Sequence, residues 1–122
     1  MKDDAYRLQR IVAVGDQLLE VIQRRGLTRE ALLRDVEMQW LVTTPLFNIG
    51  EQANCVSDQI TQQYPDLPWA SVAGLRHRLV HDYEGTNWAL ICDVLFGELQ
   101  PFIDAVRAIV AERDFADSSA ME

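Results

Sequence analysis

A chain of 122 residues with 48% hydrophobic and 25% charged residues has the length and composition of one globular domain around a single core. No apolar run approaches the ~20 residues that a membrane-spanning helix needs, and Met1-Lys2-Asp3-Asp4 leads into no signal-peptide core, so a cytoplasmic protein with no membrane partner is expected. A net charge of −8 argues against a free-standing nucleic-acid binder, which is ordinarily basic; any site for a polyanion must gather its positive charge locally, and the acidic surface also suits a basic partner.

The apolar residues are spaced for helices. Leu8, Ile11, Val12, Val14, Leu18, Val21 and Ile22 recur every three or four residues and predict a first helix over residues 4–25. Arg24 and Arg25 suit the negative end of its dipole, and Gly26 stops it. Thr28 caps a short second helix, with Glu30 in its first turn, which bends near Asp35 into a third element over residues 36–63. Pro45 should kink that element, and Leu46, Ile49, Ala53, Val56 and Ile60 mark its buried face beyond the kink. Gly50 on this path suggests the close approach of another helix. Glu51 follows it, with a carboxylate placed either to pair with Arg76 or Arg78 or to be solvated. Cys55 and Cys92 lie within helical patterns without a partner motif and read as buried or half-buried thiols, not as a disulfide or a catalytic thiol.

Tyr64-Pro65-Asp66-Leu67-Pro68 is a loop, since two prolines in this space cannot continue a helix. Trp69 opens the next helix, whose apolar face is Trp69, Val72, Ala73, Leu79 and Val80. Gly85 stops it and Thr86 caps a last helix, in which Ile91, Cys92, Leu95, Leu99, Phe102, Val106, Ile109 and Val110 carry the stripe to about residue 113, with a bend at Pro101. Residues 114–122 are acidic and small, and read as a frayed tail. The expected architecture is a single all-α domain over residues 1–122, an up-and-down bundle of four main helices plus a short one.

The chemistry gathers in Leu75-Arg76-His77-Arg78-Leu79-Val80-His81-Asp82-Tyr83, which holds both histidines of the chain. Arginine offers a permanently charged planar fork that suits phosphate oxygens, and histidine exchanges a proton near neutral pH. Together they suffice for metal-free RNA cleavage, in which the neighbouring 2′-hydroxyl attacks the phosphorus. Arg76 and His81 are five positions apart, about 140° around an ideal helix. They meet only if the helix ends near here, if Arg76 reaches round, or if two copies of the segment face each other. His77 and His81 share a face at metal-ligand spacing, but Asp82 points off that face and the arginines oppose a cation, so no metal and no cofactor are expected. Singly, each residue also has an ordinary role: His81 as a capping or core histidine, His77 on the surface, Arg78 in a salt bridge, Asp82 in solvent, and Tyr83 with its ring in the core and its hydroxyl in water.

Arg76, four intervening residues, His81, one residue and Tyr83 resemble the R-x-x-x-x-H-x-Y motif of the HEPN superfamily, in its HepT-like branch. Phe47-Asn48-Ile49-Gly50-Glu51 resembles that branch's Gly-Glu segment, Pro68-Trp69 its Pro-Trp, and Leu99-Gln100-Pro101 the Leu-x-Pro of its last helix, with Thr86-Asn87-Trp88 opening that helix. Two positions depart from the pattern: His77 follows the arginine where the branch most often has Asn, and Gln52 follows Glu51 where a small residue is usual, a difference read as a packing detail.

The resemblance implies a homodimer whose motif segments face each other across the two-fold axis, bringing two arginines and two histidines to one cleft. It implies an endoribonuclease toxin in which Arg76 binds the scissile phosphate and His81 is the acid or base. His77, Arg78, Glu51 and Asp82 are accessory, and RNA is the substrate. Its partner would be a minimal nucleotidyltransferase antitoxin, MntA-like, that adds AMP to Tyr83; the added charge and bulk beside the phosphate site explain inactivation. Two other readings stand beside it: a non-catalytic HEPN binding module that partners such a nucleotidyltransferase, and a purely structural dimerising bundle.

Overall fold

The structure, a computed structural model, describes residues 3–81 and 85–121, with side chains for residues 3–79 and 85–113. The described residues form seven helices and no strand: α1 (Asp4–Arg25), α2 (Arg29–Arg34), α3 (Val36–Cys55), α4 (Asp58–Gln63), α5 (Trp69–His81), α6 (Trp88–Gly97) and α7 (Leu99–Met121). The protein is thus an all-α bundle, with α1, α3, α5 and α7 as its long members. Among the described residues no helix is long and apolar enough to cross a membrane.

Local chemistry sets the helix ends. Asp3 Oδ1 accepts from the amide of Tyr6 at 3.0 Å, and Thr28 Oγ1 accepts from that of Ala31 at 3.1 Å. Asp35 takes the amides of Glu37 and Met38. Each such cap contributes about 1 kcal/mol by satisfying a donor that the helix itself leaves unpaired. Gly26 closes α1 in the left-handed region at φ 61°, its N–H shared between the carbonyls of Gln23 and Ile22.

Three boundaries differ from the sequence expectation. The element expected over residues 36–63 is two helices, because Val56 turns extended and Ser57 caps α4. Asp4 fixes that break from α1, accepting from the Ser57 amide at 2.9 Å and its hydroxyl at 2.6 Å. The long last helix is likewise divided, with Glu98 alone between α6 and α7. Pro101 then falls in the first turn of α7, where a missing N–H breaks no helical bond. The cap of α6 is Asn87, not Thr86: Asn87 Oδ1 accepts from the amide of Leu90 at 3.2 Å. α3 passes through Pro45 as one helix. Cys92 is buried as expected, but Cys55 is exposed.

α1 lies between α3 and α7. It runs antiparallel to α3, since Arg7 meets Gln52 at one end while Leu18 and Val21 face Leu41 and Pro45 at the other. On its opposite side Gly15 receives Ile103 so closely that a Cβ there would fall 2.2 Å from the Ile103 Cδ1. Asp16 and Arg107 add a two-point pair at 2.9 and 2.5 Å, and the Arg107 guanidinium holds the Asp16 carboxyl below its usual range. The core joins Leu8, Ile11, Leu46, Ile49, Leu75 and Phe102, all without solvent exposure. Trp69 stands edge-on to Phe102, with centroids 5.2 Å apart and planes at 87°, while its indole N–H donates to the Tyr64 carbonyl at 2.9 Å. The start of α5 is thereby fastened to α7 and to the preceding loop.

Among the described residues, α3 packs most extensively against α5. This packing turns on Gly50, where a Cβ would sit 2.8 Å from the Arg76 backbone nitrogen and 3.0 Å from the Val72 carbonyl oxygen. Backbone cannot give way as a side chain can. Gly50→Ala is therefore expected to destabilise the fold by about 1–3 kcal/mol, read by chemical denaturation. Asp16 supplies a second test. Its folded pKa is depressed, so its contribution is present above the unfolded value of roughly 3.9 and is lost as pH falls through the lower folded value. The stability difference between wild type and Arg107→Gln should shrink on acidification through that range, and a constant difference would show that the pair acts through packing alone.

Candidate active site

On α3, Asn48, Glu51, Gln52 and Cys55 recur at three- and four-residue spacing and form one polar stripe. The close approach at Gly50 brings α5 alongside this stripe and sets Arg76 on it. Arg76 Nε forms an ion pair with Glu51 Oε2. The guanidinium carbon lies 5.8 Å from the centroid of the Phe47 ring, within range of a cation–π attraction. Nε is buried and has no aligned hydrogen-bond acceptor, so the Glu51 contact acts chiefly through charge. The Arg76 side chain as a whole remains 40% exposed. It is therefore fastened near its root while much of its surface meets solvent.

Glu51 serves a second group. Its Oε1 accepts from Cys55 Sγ at 3.3 Å. Partial desolvation of the sulfur, then the Glu51 carboxylate, push the Cys55 thiol up, against the opposing pull of Arg7 and Arg76. A thiol held in its protonated form suits a donor to Glu51 and not a nucleophile.

The other flank of the stripe is occupied by α1. Arg7 Nη1 donates to Gln52 Oε1 at 2.9 Å, and Gln52 Nε2 donates to Asn48 Oδ1 at 3.4 Å. Gln52, 7% exposed, is the buried polar side chain of the described residues. A buried amide is costly unless both ends are used, and here both are. Gln52 is thus a polar bridge between α1 and α3, more than the packing detail expected of it. A groove of ≈ 350 Å³ continues from Asn48 between α1 and α3, walled by Arg10, Leu18, Leu41 and Pro45.

Of the residues singled out from the sequence, the structure brings Glu51 and Arg76 together, and chooses Arg76 over Arg78 as the partner of Glu51. His77 and Arg78 are exposed on the following turn of α5. His81 is the final residue of α5, and its side chain lies outside what is described; Asp82 and Tyr83 lie wholly outside the described residues. Arg7, Phe47 and Asn48 were missed as site residues. Asn48 and Gln52, four apart on one helix, carried a local signal of a polar pair. Arg7 had none, because its partner is 45 positions away.

The arrangement offers a half-exposed, immobilised guanidinium at the edge of a helix that ends in a histidine. The family described as "HepT-like: Ribonuclease HepT-like" matches residues 5–109. A protein of Methanocaldococcus jannaschii named as a candidate RNase is 27% identical over 95 residues, 78% of each chain. A second protein so named, from Caldanaerobacter subterraneus subsp. tengcongensis, is 24% identical over 110 residues, 90% of this chain and 96% of its own. The "Probable ribonuclease HepT" of Thermococcus cleftensis is 29% identical over 76 residues, 62% of this chain and 68% of its own. No solved structure matches the chain significantly. With 105 consecutive positions matched, from residue 5 to residue 109, the chain belongs to the HepT-like ribonuclease family.

Proposed function

We propose that the protein is a metal-independent endoribonuclease, the toxin of a toxin–antitoxin pair, acting through Arg76 and His81. The observation that carries this reading is the fastening of Arg76 by Glu51 and Phe47. A guanidinium anchored through Nε keeps its terminal amino groups for a further anion, and little freedom is lost when that anion binds. In the proposed reaction those groups hold the non-bridging oxygens of the scissile phosphate. The 2′-oxygen of the preceding ribose bonds to phosphorus as its proton passes to a base, the bond from phosphorus to the 5′-oxygen breaks, and that oxygen takes up a proton. His81 is the group of suitable pKa for one of these transfers.

One chain places Arg76 and His81 about 140° apart on the helix. A homodimer in which two such segments face each other supplies the missing reach, with Arg76 of one copy near His81 of the other. His77, Arg78 and Asp82 are accessory in this reading. The negative surface of the chain, at −8, favours a second reading: a non-catalytic module that contributes a binding surface to a nucleotidyltransferase.

The two readings separate on cleavage. His81→Ala should lower the rate of RNA cleavage by about 10²–10⁴-fold while leaving the helical circular dichroism unchanged. Chelators should have no effect, and the protein should sediment as a dimer at micromolar concentration. Cleavage at the wild-type rate by His81→Ala would return the histidine to a structural role.

The regulatory half rests on Tyr83. It lies seven positions beyond Arg76 in the sequence, and in this reading an AMP group on it sets negative charge and bulk beside the phosphate site. With ATP, a cognate minimal nucleotidyltransferase should raise the mass of the protein by one or more AMP units and suppress cleavage. Tyr83→Phe should abolish the mass shift and retain most activity. A shift that maps elsewhere would refute this route of control.

A further inference from the structure

We propose that Arg7 is a second phosphate-binding residue, so that a single strand of RNA crosses the polar stripe of α3 from Arg76 on one flank to Arg7 on the other. The inference rests on the ribonuclease reading and extends its substrate site beyond the motif helix.

Three observations lead to it. First, α3 is flanked by an arginine on each side, and each is fastened to α3 through one nitrogen: Arg76 Nε on Glu51 and Arg7 Nη1 on Gln52. Glu51 and Gln52 are sequence neighbours, so the two anchors are about 100° apart on one turn of helix. Both guanidinium groups act on the same Cys55 thiol, which lies on the next turn between them.

Second, the partner of Arg7 is uncharged. Arg24, Arg29, Arg76 and Arg107 each sit against a carboxylate, from Glu20, Asp93, Glu51 and Asp16 respectively, whereas Arg7 on Gln52 and, on α7, Arg113 on Gln63 have amide partners. Gln52 positions Arg7 by a hydrogen bond without cancelling its charge. In a chain of net charge −8, a cation oriented by a neutral amide keeps its full charge for a polyanion, since phosphate affinity comes from cations that can exchange their counterions for phosphate.

Third, the anchor is itself built. Gln52 is 7% exposed, and its amide is held at its other end by Asn48, so the position of Arg7 is set by a buried relay. Arg10, one turn further along α1, lines the α1–α3 groove with Asn48 and continues the basic edge away from Arg76.

A purely structural bridge from α1 to α3 is the competing account, and the salt dependence of binding distinguishes the two. The probe is a fluorescent single-stranded oligoribonucleotide with 2′-O-methyl groups, which binds without being cleaved. Arg7→Gln should weaken its binding several-fold and reduce the slope of log affinity against log salt by about 0.7. Arg7→Lys, which keeps the charge, should restore the slope. Gln52→Glu, which keeps a bridge to Arg7 but adds a negative charge beside it, should also weaken binding while the melting temperature is held. If Arg7→Gln lowers the melting temperature yet leaves affinity and slope as in wild type, Arg7 is a structural bridge and the inference is overturned. If wild type neither binds the probe nor cleaves unmodified RNA, the ribonuclease reading fails, and this one with it. Wild-type cleavage together with an unchanged slope in Arg7→Gln removes this inference alone.

Discussion

The contact of α3 with α5 at Gly50 governs the rest of the site. Two helices packed through ordinary side chains keep their axes 8–10 Å apart, whereas a missing Cβ lets one backbone rest on the other. Here the backbone at Val72 and Arg76 occupies the space where that Cβ would be. The consequence is chemical as well as mechanical. The next residue of α3 is Glu51, and the close approach puts its carboxylate at the root of the Arg76 side chain rather than at its tip. Phe47, one turn earlier, offers its ring to the guanidinium. A single glycine thus sets the distance at which an acid, an aromatic ring and an arginine become one unit.

Charge is handled locally throughout the molecule. The excess of acid is large, yet several arginines are matched to an acid on the surface: Glu20 with Arg24 within α1, Asp93 with Arg29 between α6 and the start of α2, Asp16 with Arg107 between α1 and α7. Such half-exposed pairs add little stability individually, but they use up cations. On the α1 flank of α3, Arg7 instead meets the neutral amide of Gln52. Overall charge is therefore a poor guide to what this surface attracts, because the relevant field is that of a few fixed groups within a screening length of each other.

Much of this was legible in the sequence, and the failures share a cause. The stripes of α1 and of α5, the stop at Gly26 and the crowding at Gly50 depend on residues close in sequence or on the absence of a side chain. The breaks at Ser57 and Glu98 were hidden because the apolar spacing runs straight across them. Val56 and Ile60 keep the phase of α3, and Leu95 and Leu99 keep that of α6, although the helix is interrupted between them. The Ser57 break also depends on Asp4, 53 positions earlier, which periodicity cannot register. Within the site, Glu51 and Arg76 could be named as possible partners from composition and spacing alone. Arg7 could not, since its role arises only when α1 lies antiparallel to α3. Cys55 was misplaced for a related reason: it continues a helical pattern, but it stands, exposed, on the polar stripe of α3.

The pairing of α1 with α7 bears on how the protein is made. Gly15 and Asp16 find their partners in Ile103 and Arg107, 88 and 91 positions later, so one side of α1 stays uncovered until nearly the whole chain has left the ribosome. α3 and α5, by contrast, can meet as soon as residue 81 is clear, although Trp69 still lacks Phe102. During synthesis there is thus an interval in which Arg76 can already reach Glu51 while the helix carrying Arg7 is held on one side only. Full assembly of the polar stripe with both its flanks is completed by the last helix to emerge.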